Sequence, residues 1–288
     1  MKIKDQKIYF YWTLPFLAIF GVLTIIPALL NFYLSLTSWN LIQPGSQKFA
    51  GIRNYLIMAS DSRFWNSLKI SFYYLIVPVS IQMILGFLWA LALRPRLKGT
   101  YIIRTLLLIP MVIPPVIVGL TWKVLFTPNL GGINYYLKMV NIKGPDWLNQ
   151  PFTAQIAVLV AAVWEWTPFV MLLLLAAMEN LPSDVMEAAT IDGVTKVQMV
   201  RYVIFPLIKP VMVIVLLFRI MDALGILPLV FVMTKGGPAS ATEIINFYAY
   251  MSGFVYYKIG YATSLITVLF AIVFALNWYF LNAIVKHQ

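Results

Sequence analysis

Six long apolar runs constrain the fold of this chain more than any other feature of its sequence. Hydrophobic residues make up 61% of the 288 residues and charged residues 11%, whereas a soluble domain is usually about 45–50% apolar and about 25% charged. A helix that crosses a bilayer needs about 20 mostly apolar residues. The sequence therefore predicts an all-α integral membrane protein, a single domain over 1–288 with six transmembrane helices at approximately 11–36, 70–93, 102–126, 154–178, 207–234 and 261–285.

The third and fifth runs contain residues that favour a bent or broken helix. The third holds Pro110, Pro114 and Pro115, and the fifth holds Gly225 and Pro228. Neighbouring helices can satisfy the backbone groups that a proline frees inside a membrane. We therefore interpret both runs as crossings, and we expect a bend in the third and a kink or an unwound stretch in the fifth.

Basic residues are concentrated in the short connections on one side of the six crossings. The loops on the other side are longer, and their basic residues are less dense. Because short cytoplasmic loops carry an excess of lysine and arginine, we expect both termini to face the cytoplasm. This topology, with anionic lipid headgroups, explains the formal net charge of +11 better than nucleic acid does. The residues on the cytoplasmic side are Lys2, Lys4, Lys7, Arg94, Arg96, Lys98, Arg104, Lys196, Arg201, Lys209 and Lys286.

A polar segment at 179–206 separates the fourth run from the fifth, and its residues predict two short helices joined at a corner. Pro182 suits the first turn of a helix, and Asp184 adds negative charge where the helix dipole favours it. Gly193 is the residue expected where a helix ends in a left-handed conformation. Neither helix is long enough to cross a bilayer. The segment is therefore expected to lie on one face of the membrane.

The second helix of this segment has its own start and stop signals. Thr195 followed by Gln198 matches a capping box. Pro206 disfavours the helical conformation of the residue before it. We therefore expect the second helix to begin after Thr195 and to end at Pro206.

The spacing within 179–206 resembles the EAA loop of importer permeases of the ABC class. Glu187, Ala188 and Ala189 precede Gly193 by three intervening residues, and nine more residues lead to VIFP at 203–206. The family pattern ends I-x-L-P, so the first and third of these four residues are conservative departures, and an Asp-Gly insertion at the corner is usual in the carbohydrate branch. An ordinary amphipathic loop between two spans is the alternative. The resemblance implies cytoplasmic coupling helices between spans 4 and 5 that dock on an ATPase through Glu187, Ala188, Ala189, Asp192, Gly193 and Pro206.

The loops on the opposite side carry further likeness to the carbohydrate branch. FAGIRNY at 49–55, FWNSL at 64–68 and TKGGP at 234–238 are similar to its segments. The likeness implies that an extracytoplasmic solute-binding protein docks at Gly236, Gly237 and Pro238. Gly-Gly-Pro is also a strong turn former, and aromatic residues near span ends fit an interfacial belt. Both interpretations of these loops remain open.

Three ionisable side chains, Glu165, Arg219 and Asp222, lie deep within the fourth and fifth runs. An ionisable residue inside a membrane is costly and is by default a functional hypothesis. Arg219 and Asp222 are three residues apart on one helical face and can pair, and all three are expected near the middle of the bilayer. A structural ion pair that fixes two helices is one interpretation. The other is a hydrated solute path with Trp166 and Gly225, and the resemblance to maltose-type permeases favours it.

The chain lacks the residues of several common chemistries. It has no cysteine, and its one histidine is His287, next to the last residue. These absences exclude Cys/His zinc sites and Ser-His or Cys-His nucleophile pairs, and no catalytic residue or metal site is expected. No G-x-x-x-x-G-K-[S/T] phosphate loop is present. Any ATP and Mg²⁺ are therefore expected on a partner ATPase, with no cofactor in this chain.

These expectations combine into a transport subunit that is not itself an enzyme. The resemblance implies a permease of an ATP-driven importer for a sugar, oligosaccharide or polyol in a bacterial or archaeal cytoplasmic (inner) membrane. Its partners would be ABC ATPase subunits, a homologous sister permease, the solute-binding protein and membrane lipid, but no nucleic acid. An anion such as a glycerol phosphate is an alternative solute because of Arg219. An ion-driven secondary transporter is the alternative mechanism, although the paired broken helices that support it are not evident.

Overall fold

Helices follow one another along the described chain, which comprises residues 3–94 and 99–285 of the computed structural model. Within these residues no β-strand forms, and the one extended pairing is a single bridge between Thr37 and Phe49. The all-α expectation is confirmed. Lys2, Arg96, Lys98, Lys286 and His287 lie outside the described residues. The helices are α1 (Ile3–Ser35), α2 (Arg53–Ser60), α3 (Ser62–Leu93), α4 (Thr100–Val112), α5 (Pro115–Leu125), α6 (Gly132–Met139), α7 (Pro151–Glu179), α8 (Ser183–Ile191), α9 (Lys196–Gln198), α10 (Phe205–Ala223), α11 (Leu227–Met233), α12 (Ile245–Tyr250) and α13 (Ile259–Val285).

Five helical stretches of the described chain are long and apolar enough to cross a membrane, and the bent pair of α4 and α5 makes a sixth if it is one span. Each predicted run overlaps one of these stretches. The fifth differs most, because the long helix lies at Lys196–Asp222 whereas the predicted run is 207–234. α3 also begins early, at Ser62 instead of Ile70. Asp61 explains the earlier start, because its Oδ1 accepts the backbone N–H of Arg63 at 2.9 Å and satisfies a free donor of the first turn.

The third span is broken rather than gently bent. α4 and α5 meet at 96°. Ile113 and Pro114 between them are extended, with ψ angles of 131° and 136°. A proline disfavours the helical conformation of the preceding residue, and two successive prolines apply this restriction to both positions. Pro110 lies inside α4, so the break is caused by Pro114 and Pro115 and not by Pro110.

The fifth span is interrupted where the sequence predicts it. α10 ends at Ala223, a single 3₁₀ turn covers Leu224–Ile226, and α11 begins at Leu227. Gly225 lies in the middle of that turn, and Pro228 occupies the first turn of α11, where its missing N–H costs little.

The chain forms two compact units. The first contains Met1–Phe64 and Tyr248–Ala271. Its two segments are joined by backbone hydrogen bonds between the loop after α1 and the residues around the start of α13, including Gly260 N–H to the Trp39 carbonyl at 3.1 Å. A Cβ at Gly260 would lie 2.0 Å from the Thr37 carbonyl oxygen, so this close approach requires glycine.

The second unit contains Trp65–Phe247 and Ile272–Gln288, and α7 is its central helix. Its fully buried residues include Val170, Met171 and Leu174, which pack in one cluster with residues of α3 and α10. Gly86 of α3 allows the closest approach. A Cβ added there would lie 2.6 Å from Cγ1 of Val170 and 2.9 Å from the backbone N of Met171.

This close approach gives a stability prediction. Gly86→Ala should lower the melting temperature of the purified protein in detergent, because overpacking of a core costs about 1–3 kcal/mol. Gly21→Ala is the matched control. It also adds a methyl group to a glycine within a spanning helix, but its nearest neighbour is Ile25 Cδ1 at 3.8 Å. Equal melting temperatures for the two variants would show that α3 and α7 are not in this contact.

Candidate functional site

A cavity of about 100 Å³ lies between α3, α5, α7 and the broken fifth span. It is large enough for water molecules. Every residue predicted for a solute path lines it: Glu165, Trp166, Arg219, Asp222 and Gly225. The other lining residues are Tyr74, Pro78, Val79, Gln82, Pro115, Ala162, Ile226 and Leu229.

Arg219 is the best-held polar group of the cavity, and only 2% of its surface is exposed. Its Nε donates to Gln82 Oε1 at 3.1 Å, and its Nη1 donates to Asp222 Oδ2 at 3.3 Å. The guanidinium carbon lies 4.4 Å from the ring centroid of Trp166, a cation–π distance. These contacts offset the desolvation of the cation, which would otherwise be severe.

The predicted pairing of Arg219 with Asp222 is present, but it is asymmetric. The Arg219 side chain is 3% exposed and the Asp222 side chain 48%. An ion pair with one solvated partner contributes little. Gln82 therefore contributes more to holding Arg219 than the sequence indicates. Its own Nε2 donates to the Ala162 carbonyl of α7 at 2.9 Å, so one amide joins α3 to both neighbouring helices.

Glu165 is held differently. It is 2% exposed, and within the described residues its carboxylate makes no direct hydrogen bond or ion pair, although the opposite charge of Arg219 acts on it. A buried carboxylate needs hydrogen-bond donors. The cavity it lines has room for water, or for the hydroxyl groups of a solute, to supply them.

The loop at 179–206 forms the predicted corner. α8 ends at Ile191, and Gly193 has φ +74°. The capping box is complete, because Thr195 Oγ1 accepts the Gln198 N–H at 3.3 Å and Gln198 Oε1 accepts the Thr195 N–H at 2.9 Å. Glu187, Ala188 and Asp192 are exposed on this corner, whereas Ala189 is buried.

The expectation that Pro206 ends the second helix is wrong. α9 continues through a π turn at Met199–Ile204 directly into α10, so Lys196–Asp222 is one helix of 27 residues. The π turn shifts the pairing by one residue, with the Phe205 N–H donating to the Val200 carbonyl. Pro206 lacks an N–H, and it follows a turn whose backbone hydrogen bonds are already shifted by one residue. Local propensity is overridden by the continuous helix.

The turn at Thr234–Thr242, which contains Gly236, Gly237 and Pro238, is rigid. Gly236 has φ +78°, and a Cβ there would lie 2.9 Å from the Phe247 ring. Thr242 Oγ1 donates to the Gly237 carbonyl at 2.9 Å. Gln155 of α7 donates to the Ala241 carbonyl at 2.7 Å. The predicted turn is therefore a fixed surface of the second unit.

Comparison with known proteins decides the family. Residues 82–287 match the model of a family described as "Binding-protein-dependent transport system inner membrane component". This range contains the cavity residues of α7 and α10 and the whole corner loop. The chain belongs to this family.

Relatives extend the likeness over nearly the whole chain. The trehalose/maltose transport system permease protein MalF of Thermococcus litoralis is 36% identical over 90% of this chain and 86% of its own. The trehalose transport system permease protein SugA of Mycobacterium tuberculosis is 31% identical over 98% of this chain and 90% of its own. A chain in a crystal structure of a bacterial ABC transporter involved in the import of the polysaccharide alginate matches with a TM-score of 0.84 and 18% identity, over 99% of this chain and 97% of that one.

As a member of this family, the chain is a membrane permease component, and the resemblance inferred from the EAA-like spacing is confirmed. Sequence reasoning missed several polar residues inside its spans, and two examples bond to neighbouring helices. One is Gln82. The other is Lys123 of α5, whose Nζ donates to the Val232 carbonyl of α11 at 3.1 Å. The signal that could have found them was the same for both, since a lone polar side chain in an apolar run needs a partner.

The role of Gln82 can be tested in this permease. Gln82→Leu should lower thermal stability in detergent, because an unsatisfied buried charged group costs about 1–3 kcal/mol or more. Gln82→Glu is the control, since it keeps an acceptor for Arg219 and should retain more of the stability. A leucine variant as stable as the parent would show that the amide does not hold Arg219.

Proposed function

We propose that this chain is one permease half of an ATP-driven importer, coupled to a separate ATPase through the loop at 179–206. The single observation that carries the coupling is the continuity of Lys196–Asp222 as one helix. At about 1.5 Å per residue, this helix runs about 35 Å from Lys196 to Arg219. A displacement of the corner would therefore be transmitted along one continuous helix to the cavity.

The proposed topology follows the distribution of basic residues, with both termini and the corner loop in the cytoplasm. Residues 1–288 then act as one transmembrane domain. The ATPase would contact the exposed corner residues Glu187, Ala188, Asp192 and Gly193. Two apolar side chains beside them are strongly exposed, Ile191 at 85% and Val197 at 76%, and these suit burial in a protein cleft. Buried Ala189 would allow close packing of α8, and Pro206 would lie within the continuous helix that leaves the corner.

The transport cycle would borrow its energy from partner subunits that bind ATP and Mg²⁺. Closure of two ATPase subunits would move the docked corners, and the spans would switch between inward and outward access. A Cβ added at Gly225, in the 3₁₀ break beside the cavity, would have no atom within 4 Å, so the turn has space in which to move. A homologous sister permease would complete the path, and a solute-binding protein would deliver solute at the rigid turn with Gly236, Gly237 and Pro238.

A sugar, oligosaccharide or polyol is the proposed solute. Relatives named for trehalose and maltose transport support it, and the cavity offers the matching chemistry. Glu165 and the half-exposed Asp222 would accept hydroxyl groups, and Trp166, whose ring also contacts Arg219, would provide an aromatic surface. An anion such as a glycerol phosphate fits the cavity less well. Arg219 is already bound to Gln82 and Asp222 and stacked on Trp166.

Reconstitution tests the energy source. The permease, its sister chain and its ATPase in liposomes should take up solute only with ATP and the solute-binding protein. Radiolabelled uptake is measured with ATP, with a non-hydrolysable analogue, and with a proton gradient alone. Uptake that persists without ATP and collapses with the gradient would support an ion-driven secondary transporter instead.

The corner glycine gives a prediction about coupling. Gly193→Val should lower transport-coupled ATP hydrolysis by about tenfold while membrane insertion is unchanged, because a β-branched residue at φ +74° strains the backbone by about 1–3 kcal/mol. No atom lies within 4 Å of the added Cβ, so the effect is conformational. Gly193→Asn is the control, since asparagine tolerates this conformation. Equal losses of insertion and ATP hydrolysis would count against a docking role.

The buried carboxylate gives a prediction about the path. Glu165→Gln should lower uptake about tenfold or more, because a hydrogen bond to a charged group contributes about 1.5–3 kcal/mol. The variant should still co-purify with its partners, since it keeps the volume of the side chain and breaks no direct contact. Co-purification is followed by size-exclusion chromatography. Loss of the complex together with uptake would favour a purely structural ion cluster.

A further inference from the structure

A second pocket lies within the first unit, away from the cavity already described. Its volume is about 390 Å³, within the range of about 300–1,000 Å³ typical of ligand sites. The loop after α1, α2, α12 and the start of α13 form its walls. The lining residues are Ser38, Trp39, Asn40, Gln43, Arg53, Asn54, Ile57, Asp61, Tyr248, Lys258 and Tyr261.

The walls of this pocket are fixed by hydrogen bonds between segments distant in sequence. Leu41 N–H donates to the Tyr257 carbonyl at 3.0 Å, which adds to the Gly260–Trp39 bond across the same edge. Buried Asn54 donates to the carbonyls of Ser35 and Thr37, both at 2.8 Å. The pocket is therefore preorganised, and a ligand would not have to order it.

The carboxylate that lines the pocket is fully engaged by its own neighbours. Asp61 Oδ2 accepts the hydroxyls of Tyr248 and Tyr261, both at 2.5 Å, and its Oδ1 accepts the Arg63 N–H. Burial acts to raise the pKa of Asp61, but these hydrogen bonds outweigh it and leave the pKa below its usual value. Burial, followed by the bond to Asp61, raises the pKa of Tyr248 to about 12. The carboxylate is thus charged and bound, and it is not a partner for further cations.

Two cations of the pocket remain unpaired. Arg53 and Lys258 are exposed, and within the described residues neither side chain makes an ion pair or hydrogen bond. Both lie on the side that the proposed topology places outside. Basic residues are less dense on this side than on the cytoplasmic side, yet these two line the same pocket. A site that attracts negative charge from outside explains their position.

We propose that this pocket receives an acidic side chain of the solute-binding protein when that protein docks on the permease. The proposal rests on the proposed importer function and adds the place and the chemistry of one docking contact. The carboxylate of the incoming side chain would lie between Arg53 and Lys258. Trp39, which is half-buried, would cover the aliphatic part of the incoming side chain. A charge pair of this kind aligns the two proteins and speeds their encounter.

Charge removal at the pocket tests this contact. The complex is reconstituted in nanodiscs as the parent, Arg53→Gln, Lys258→Gln and the double variant. The dissociation constant for the cognate solute-binding protein is measured by surface plasmon resonance at low and high salt. Each single change should weaken binding by about tenfold, and the double variant should lose most of the salt dependence, since exposed charge pairs are screened by ions. Lys48→Gln is the matched control, an exposed cation of the same unit that does not line the pocket, and it should change affinity by less than about twofold.

The outcomes separate this inference from the function on which it rests. If the parent complex neither binds the solute-binding protein nor shows ATP hydrolysis stimulated by it, the importer function fails. If the parent binds and the double variant binds equally well, the importer function stands and the pocket contact is wrong. If the double variant takes up less solute but binds the solute-binding protein with unchanged affinity, the pocket holds a transported anion. That result would also overturn the proposal.

A charge reversal supplies the complementary test. Arg53→Glu should abolish detectable binding of the parent solute-binding protein. Replacing the matching Asp or Glu of that protein by Lys, chosen from a scan of its exposed acids, should restore binding. Restoration by no member of the scan would contradict the pairing, provided that thermal unfolding shows the Arg53→Glu permease to be folded.

Discussion

The need to compensate one buried guanidinium governs how the second unit packs. Arg219 is almost completely removed from solvent, and its charge must be balanced by groups from elements far apart in the chain. Gln82 reaches it from α3 and Trp166 from α7. An arrangement that loses either contact leaves charge in an apolar surrounding, which is strongly unfavourable. The cation therefore fixes how three helices meet, and the cavity is the space that remains beside it.

The same helix that carries Arg219 also begins at the polar corner. Because Lys196–Asp222 is continuous, the corner and the cavity are the two ends of one element. The 3₁₀ turn at Gly225 follows directly and separates this helix from α11. A continuous helix that ends at a break is suited to moving as a unit. In the proposed coupling, the break in the fifth span would mark the end of the segment that moves.

Much of the fold follows from local signals. The apolar runs give the spans because backbone groups in a bilayer must be satisfied within each helix. Pro114 and Pro115 give the break in the third span, and Gly225 gives the one in the fifth, because these residues act on their own backbone or on the residue before them. The corner at Gly193 and the Thr195 capping box are equally local. Pro206 fails as a stop signal because the π turn before it changes the pairing that the rule assumes.

The spans, their breaks and the polar corner are thus specified by the order of residues alone, since each depends on side chains within a few positions of one another. The partners of the buried polar groups are set instead by the packing of whole helices. Gln82 and Arg219 are 137 residues apart, and Asp61 joins tyrosines that follow it by 187 and 200 residues. No local pattern records such pairings, because a buried charge selects whichever polar group the folded chain brings within its reach.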